Sequence, residues 1–532
     1  SSGMAAADNV RTRLQASGIG LLGIAEGSPA LAAALSRDAP PVLAAVAVRW
    51  DRFLAGRATP ALLSAFGRPG GAGGKASRRA QAAGAVAAAT RSLSVAEVLE
   101  LVHRTAGATA DADTPLLEAG VDSLGAVELR NQLHAAVGGR AALPSTLVFD
   151  HPSARQLAAY LSDGATPEPA APLHRAPAAH ERGRVAVLVT GVSAVLPSGA
   201  AGAEAVWRVA MSAADLISEV PAERWPLGPR PDSAAGDAVS SRVRHGGFAR
   251  GVELFDGAFF GVSPAEAAAM DPQQRLLLER GYEALHGAGE RREGLAGSLT
   301  GVFVGIASTD FAAALASQSV GGVYAATGGA HSVASGRLSF ALGLHGPCAA
   351  YDTACSSALV AGHAALRSLQ LGESSAALVS AVNVMLSPRV GLTFAVAGMT
   401  SVLGRSHTLD RRADGYARAE ACTAAALRPA GSQPGGPHEP VATLSGSCVR
   451  QDGRSASLTA PNGLAQQSLI GGSLEDAGLG EGELVSAELH GTGTALGDPI
   501  EARSLVGAVL AARVEPLAIS GVKANIGHAE PA

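Results

Sequence analysis

One cysteine and two histidines are the residues of this chain whose types and surroundings could make and break bonds together. Cys355 stands in Tyr351–Ser357, read YDTACSS. A run of small and apolar residues, Pro347 to Ala354, ends at it. A helical pattern starts at Ser356 and runs to about Leu371, where Gly372 stops it. A thiol at such a strand–helix junction meets the positive end of the helix dipole and free backbone N–H groups, which favour the thiolate. The same N–H groups can hold an oxyanion once the sulfur has attacked a carbonyl. The plain alternative is a buried structural cysteine, as many free cysteines are. The rest of the chain decides between them.

Val485–Leu489 reads as a strand ending in HGTGTALGDPIEA, with His490 at its tip. Gly491 and Gly493 let the backbone turn sharply there. Leu517–Val522 reads as another strand, running into KANIGHAE and His528. A lone histidine is more often a hydrogen-bonded structural residue than a catalyst. Two at glycine-bracketed strand ends are a different matter, because α/β sheets place their active sites at strand C-termini. Arginine is the habitual cation, and the only lysines are Lys75 and Lys523. A lysine in that setting marks a place the guanidinium fork would not fit. Lys75 falls in a Gly-rich linker; Lys523 lies five residues before His528. Its plain reading is a salt bridge holding the strand end.

These residues need a scaffold, and 532 residues are enough for two to four domains. Residues 1–66 alternate helical and strand-like runs: Ala30–Ser36 a helix, Val42–Val48 a strand, Ala61–Phe66 a helix. Residues 67–91 are a Gly/Ala-rich linker. Residues 92–162 read as a small helical unit. Val95–Arg104 has helical spacing, Leu129, Leu133 and Val137 share a second helical face, Phe149–Pro152 is a turn, and Ala154–Leu161 is a last helix. Ser123 stands at a helix start, where an N-cap is the usual role of serine. Residues 163–183 are a Pro/Ala-rich tether, and residues 184–532 carry a long α/β pattern. In it Val185–Thr190, Thr300–Ile306 and Ala376–Met385 read as strands. Asp271 caps a helix with Pro272 at its first position, and Gly431–Pro440 is a surface loop.

Composition narrows the function. The net charge of −5 suggests no nucleic-acid or anionic-membrane surface. The longest apolar run, Val185–Leu196, is too short to span a bilayer and is cut by Pro197. No signal-peptide layout opens the chain, so a cytoplasmic protein is expected. Cys348, Cys355, Cys422 and Cys448 show no C-x-x-C pairing, which argues against a zinc site and a disulfide framework.

Three resemblances follow from these strings. LLEAGVDSLGAVELRNQL, residues 116–133, resembles the acyl carrier proteins. That implies a serine, Ser123, modified with 4′-phosphopantetheine by a phosphopantetheinyl transferase. Gly125 departs from a good helix former in the first turn. TACSS, HGTGT and NIGH, in that order, resemble the β-ketoacyl synthase domain of modular polyketide synthases, as do MDPQQRLLLE, SVASGRLSFALGLHGP and DGYARAEA. The resemblance implies a thiolase-like layered α/β/α/β/α domain, normally a homodimer, working with other synthase domains on acyl and malonyl thioesters. Cys355 would accept the acyl chain, His490 and His528 would hydrogen-bond the extender's thioester carbonyl, and Lys523 would bias the local field and orient His528. No metal is implied. Residues 1–66, with Trp50-Asp51, resemble the C-terminal tail of a polyketide ketoreductase, without its cofactor turn or catalytic tyrosine.

Departures from the condensing-enzyme pattern are Ala419-Glu420-Ala421 in place of Gly-Glu-Gly, and Tyr351 in place of a small aliphatic residue, which would narrow the pocket. The chain opens on SSGM and stops four residues past His528, short of the family's closing Gly-rich hairpin. An excerpt of a longer polypeptide, with an incomplete condensing domain, is the expectation. The rival readings are a carrier or scaffold in which only Ser123 acts, and fatty-acid rather than polyketide synthesis.

Overall fold

The computed structural model describes residues 19–20, 47–48, 93–106, 111–116, 118–121, 123–137, 143–144, 147–162, 185–227, 238–317, 323–431, 439–453 and 455–532. The chain forms two units, residues 1–88 and 89–532. In the first, Ile19–Gly20 pairs antiparallel with Ala47–Val48. The expected helices at 30–36 and 61–66, the Trp50-Asp51 pair and both linkers lie outside the described residues, as does most of the 431–440 loop.

The helical segment of the second unit has α1 (Val95–Ala106), α2 (Ser123–Ala136), α3 (Leu147–Asp150) and α4 (Ala154–Ser162). A capping box starts α1: Ser94 Oγ accepts from the Glu97 N–H, and Glu97 accepts from the Ser94 N–H at 2.8 Å. The expected face of Leu129, Leu133 and Val137 is buried, against Val98, Val102, Leu116 and Leu157. The expected turn at 149–152 is in part helical. Phe149 and Asp150 end the single turn α3, because Leu147 and Val148 bury themselves in that core.

From residue 187 the chain builds a six-stranded sheet. Its strands are β1 (Val187–Val195), β2 (Thr300–Gly305), β3 (Cys348–Tyr351), β4 (Ala376–Asn383), β5 (Ala421–Pro429) and β6 (Ala442–Leu444). The order is β6-β1-β5-β4-β2-β3, with β4, β2 and β3 mutually parallel and the β5–β4, β1–β5 and β6–β1 pairs antiparallel. Strand β1 outruns its expected end at Thr190. A register shift between Val189 and Gly191 absorbs the glycine, so pairing with β5 continues to Val195.

Alternation sorts the two faces of β2. Val302 and Val304 pack under α5 (Pro272–Gly287) and α6 (His331–Leu342), with Leu277, Leu278 and Leu338. Phe303 points the other way, into a cluster with Ala361, Ala365, Leu366 and Leu369 of α7 (Ser357–Leu371). Asp271 caps α5 as expected, its carboxylate accepting from the Gln273 N–H at 2.8 Å. Beyond residue 460, β7 (Ser486–Glu488) and β8 (Ala518–Ser520) form a parallel pair. They share an apolar cluster with α8 (Gly463–Ala477) and α9 (Gly497–Ala508), built on Leu474, Leu489, Leu505 and Val509. Cys355 and His490 thus stand just past the C-terminal ends of β3 and β7, and His528 follows β8 after the single helical turn Lys523–Ile526.

Candidate active site

The seven residues of YDTACSS hold their own turn. Ala354 takes a left-handed φ of 52°, uncommon for alanine and a mark of stored strain. Side chains on both sides pin it. Asp352 accepts from the Ala354 N–H at 3.1 Å, Ser357 Oγ accepts from the Thr353 N–H at 2.9 Å and donates to the Ala354 carbonyl at 2.7 Å, and Ser356 Oγ donates to the Thr353 carbonyl at 2.9 Å. Cys355 therefore sits in a short 3₁₀ turn, Ala354–Ser356, that feeds α7.

The two histidines arrive from 135 and 173 residues later in the chain, yet Cys355 Sγ and one ring nitrogen of each of His490 and His528 all lie within 4.8 Å of one another. The imidazoles meet edge to face, with ring centroids 5.3 Å apart at 87°. His490 is placed by a tight turn, in which Gly491 (φ 47°) and Gly493 (φ 79°) take left-handed conformations. Acids of the same segment tie the turn down. Glu501 accepts from the N–H groups of His490 (2.5 Å) and Gly491 (2.8 Å), and Asp498 from those of Gly493 (3.0 Å) and Leu409 (2.8 Å). His528 is gripped by backbone, its N–H donating to Ala417 O at 2.7 Å and its carbonyl accepting from the Ala419 N–H at 2.9 Å.

The Glu530 N–H donates to His528 Nδ1 at 3.3 Å. With Nδ1 an acceptor, the neutral ring carries its hydrogen on Nε2 and is a donor there. Both rings stay neutral at pH 7. Burial pushes His490 down to about 4, helped by the Lys523 charge and opposed by Asp498. His528 lies well below the ordinary histidine value, through burial first and then the charges of His490, Lys523 and Arg418. A thiol and two imidazoles are also a zinc-type donor set. Here the His528 tautomer keeps its hydrogen on Nε2 and its Nδ1 lone pair engaged by the Glu530 N–H.

The cysteine corrects an expectation. Its own backbone N–H and the Lys523 charge do pull the thiol pKa down, but crowding by surrounding protein outweighs them, and the net shift is upward. Desolvation of the thiolate wins because a single helix end offers only a partial charge. The expected alkylation of Cys355 by iodoacetamide therefore climbs with pH throughout the alkaline range. A plateau already reached near neutrality would mean a thiolate after all.

Lys523 opens the single turn Lys523–Ile526, and its charge acts on Cys355, His490 and His528 together. Burial lowers its own pKa, against the pull of Glu488 and Glu501. Tyr351 does not fit its expected role. It is half-buried against the α7-side apolar cluster, so its ring serves the core. The methyls of Ala419 and Ala421 likewise pack into a cluster with Leu196, Val209 and Ile526. They leave Glu420 bidentate to Arg224 at 2.7 and 2.9 Å. Ser123 is the first residue of α2, where unpaired backbone N–H groups suit a phosphodiester.

Sequence reasoning missed Glu488, Asp498, Glu501 and the Arg418–Glu530 pair. The signal for Asp498 and Glu501 was present, as two acids within a dozen residues of a candidate histidine. Their partners are backbone N–H groups, which no side-chain pattern reveals.

Comparison with known proteins agrees with this geometry. The beta-ketoacyl synthase N-terminal and C-terminal domain families match residues 184–431 and 441–532, and the phosphopantetheine attachment site family matches residues 95–161. The spectinabilin polyketide synthase system protein NorA' of Streptomyces orinoci is 38% identical over 99% of this chain, which spans 15% of that protein. Erythronolide synthase EryA2 of Saccharopolyspora erythraea is 39% identical over 82% of this chain, which spans 12% of it. The oxazolomycin ketosynthase domain OzmH KS7 of Streptomyces albus JA3453 superposes with a TM-score of 0.60 at 33% identity, covering 65% of this chain and 61% of that one. The module 6 ketosynthase of the bacillaene synthase of Bacillus subtilis 168 gives 0.59 at 30%, covering 65% and 59%. The sheet described above is thus that of a thiolase-like fold, and the order of domains along the sequence carries the rest of the likeness. The chain belongs to the modular polyketide synthase family, with a phosphopantetheine carrier domain followed by a β-ketoacyl synthase domain.

Proposed function

We propose that the chain elongates acyl thioesters by decarboxylative Claisen condensation, as a 3-oxoacyl synthase. The observation that carries this is the convergence of Cys355 Sγ and the two imidazole nitrogens within 4.8 Å. Cys355 attacks the carbonyl of an acyl thioester. A new C–S bond forms, the donor C–S bond breaks, and the thiol proton leaves with the donor thiol. A malonyl-type thioester then places its carbonyl oxygen against His490 and His528. The C–CO2 bond breaks, and its electron pair moves into an enolate held by neutral N–H donors. The enolate carbon attacks the acyl group on Cys355, a C–C bond forms, and the sulfur leaves and regains a proton. Lys523 adds positive charge where negative charge develops.

When attached to Ser123, 4′-phosphopantetheine supplies the thiol that holds acyl chains as thioesters. The start of α2 fits such a group, as described above. A homodimer is supported by the outer edge of β3, which among the described residues pairs only with β2, and by the exposed Phe340 and Leu359 on the neighbouring helices α6 and α7. Relatives named as polyketide synthases favour that product class over fatty acids.

Mass spectrometry after treatment with a phosphopantetheinyl transferase and an acyl thioester tests the reading. Denatured protein should carry the arm on Ser123 and the acyl group on Cys355, and native spectra should show two chains. An arm on Ser123 with no acyl group ever reaching Cys355 would leave only the carrier.

A further inference from the structure

Behind His528 lies an ion pair that the proposed chemistry does not use. Arg418 donates from Nε and Nη2 to the two carboxylate oxygens of Glu530, at 2.5 and 2.9 Å. Both side chains are largely buried, 8% and 15% exposed. The guanidinium also lies 5.4 Å from the centroid of the Phe394 ring. Phe394 meets Tyr416 edge to face, and Tyr416 meets His528 the same way at 5.1 Å. The carboxylate of Asp310, itself held by the N–H groups of Leu386 and Ser387, adds its charge to the same cluster.

Glu530 has a second unusual feature. Its φ is 53°, left-handed and disfavoured for a residue with a Cβ. Its N–H donates to His528 Nδ1, and the left-handed φ sets where its Cβ and carboxylate lie relative to that N–H. The backbone on either side of Arg418 already grips His528, through Ala417 and Ala419. Arg418 therefore reaches the histidine twice, by its neighbours' backbone and by the side chain that anchors Glu530.

We propose that the Arg418–Glu530 pair is a positioning device for His528, holding Glu530 in its strained conformation so that its N–H fixes the histidine tautomer. Glu530 touches no substrate in this scheme. Its carboxylate anchors the turn and its backbone N–H orients the ring, which keeps the hydrogen on Nε2. The inference rests on the condensing reading above, and applies to the decarboxylation half-reaction, where His528 is a donor.

The test measures two half-reactions in the full chain: acyl uptake on Cys355 by intact mass, and decarboxylation of a malonyl thioester. Glu530→Ala keeps the left-handed strain but loses the anchor. Its decarboxylation kcat should fall about tenfold, part of the loss expected for deleting a whole donor, with KM and acyl uptake unchanged. Glu530→Gly adopts φ near 53° freely and should recover most of that loss, ending about threefold below the parent. A purely structural role would depress both half-reactions and would not be rescued by glycine. Should the alanine variant fail to fold, Glu530→Gly decides alone, and a parent-like rate overturns the proposal. Equal slowing in the two variants also overturns it, by placing the effect in the carboxylate charge. A parent chain that takes up acyl groups but never decarboxylates overturns the condensing reading, and this inference with it. A parent that decarboxylates and variants that match it overturn this inference only.

Discussion

Cys355→Ala is expected to abolish condensation, a loss on the order of 10⁴-fold or more, as removal of a nucleophile from a concerted set of groups usually is. The substitution is small and local. Ala354 and Ser356 keep their hydrogen bonds through Asp352, Thr353 and Ser357, so the turn and α7 should persist. Acyl uptake should vanish with the sulfur. Decarboxylation of a malonyl thioester should survive, because its oxyanion donors sit on His490 and His528. His528→Ala should do the converse, leaving acyl uptake intact and slowing decarboxylation by about 10²–10³-fold, the usual cost of one such donor. Rates of the two half-reactions, measured separately, check both. Condensation by Cys355→Ala at the parent rate would remove the cysteine from the chemistry altogether.

Glu420→Ala is expected to destabilise the condensing domain by about 3–5 kcal/mol, the range for breaking one side of a buried ion pair. The Glu420 side chain is fully buried and that of Arg224 is 12% exposed. The carboxylate also accepts from the N–H groups of Ala249 and Met385, at 2.8 and 2.9 Å. Removing it would leave a buried guanidinium and two orphaned backbone donors at once. Residues 417–421 link this pair to His528, so the site should loosen before the domain unfolds. Urea titration followed by a signal from the condensing domain reads the shift in midpoint. A midpoint unchanged within error would mean that Arg224 and the two donors find water instead.

Much of this was legible in the residues. Strands at 300–306, 376–385, 485–489 and 517–522 were readable because each is a short apolar or small-residue run ended by turn residues. Their observed spans are slightly shorter, since pairing partners end before the apolar run does. The helix after Cys355 and its stop at Gly372 were readable from spacing and from a glycine that caps at φ 75°. Strand β1 runs on past Thr190, because only a partner strand shows that a register shift accommodates Gly191. The resemblance implies that the Tyr351 ring, in place of a small aliphatic residue, narrows the pocket. Which way a strand residue faces is decided by what packs on the sheet.

By itself the sequence determined the kinds of groups and the turns that carry them: a thiol at a strand–helix junction, two histidines among glycines, a serine at a helix start, and the order of the domains. Local chemistry is enough for that, because glycine placement, caps and apolar spacing act over a few residues. Only the tertiary structure decided that three side chains separated by up to 173 residues share one volume. It also decided which nitrogen of His528 bears the hydrogen, and that the thiol's pKa moves up rather than down. Desolvation, and backbone donors contributed by distant segments, set those properties, and neither exists until the chain has packed.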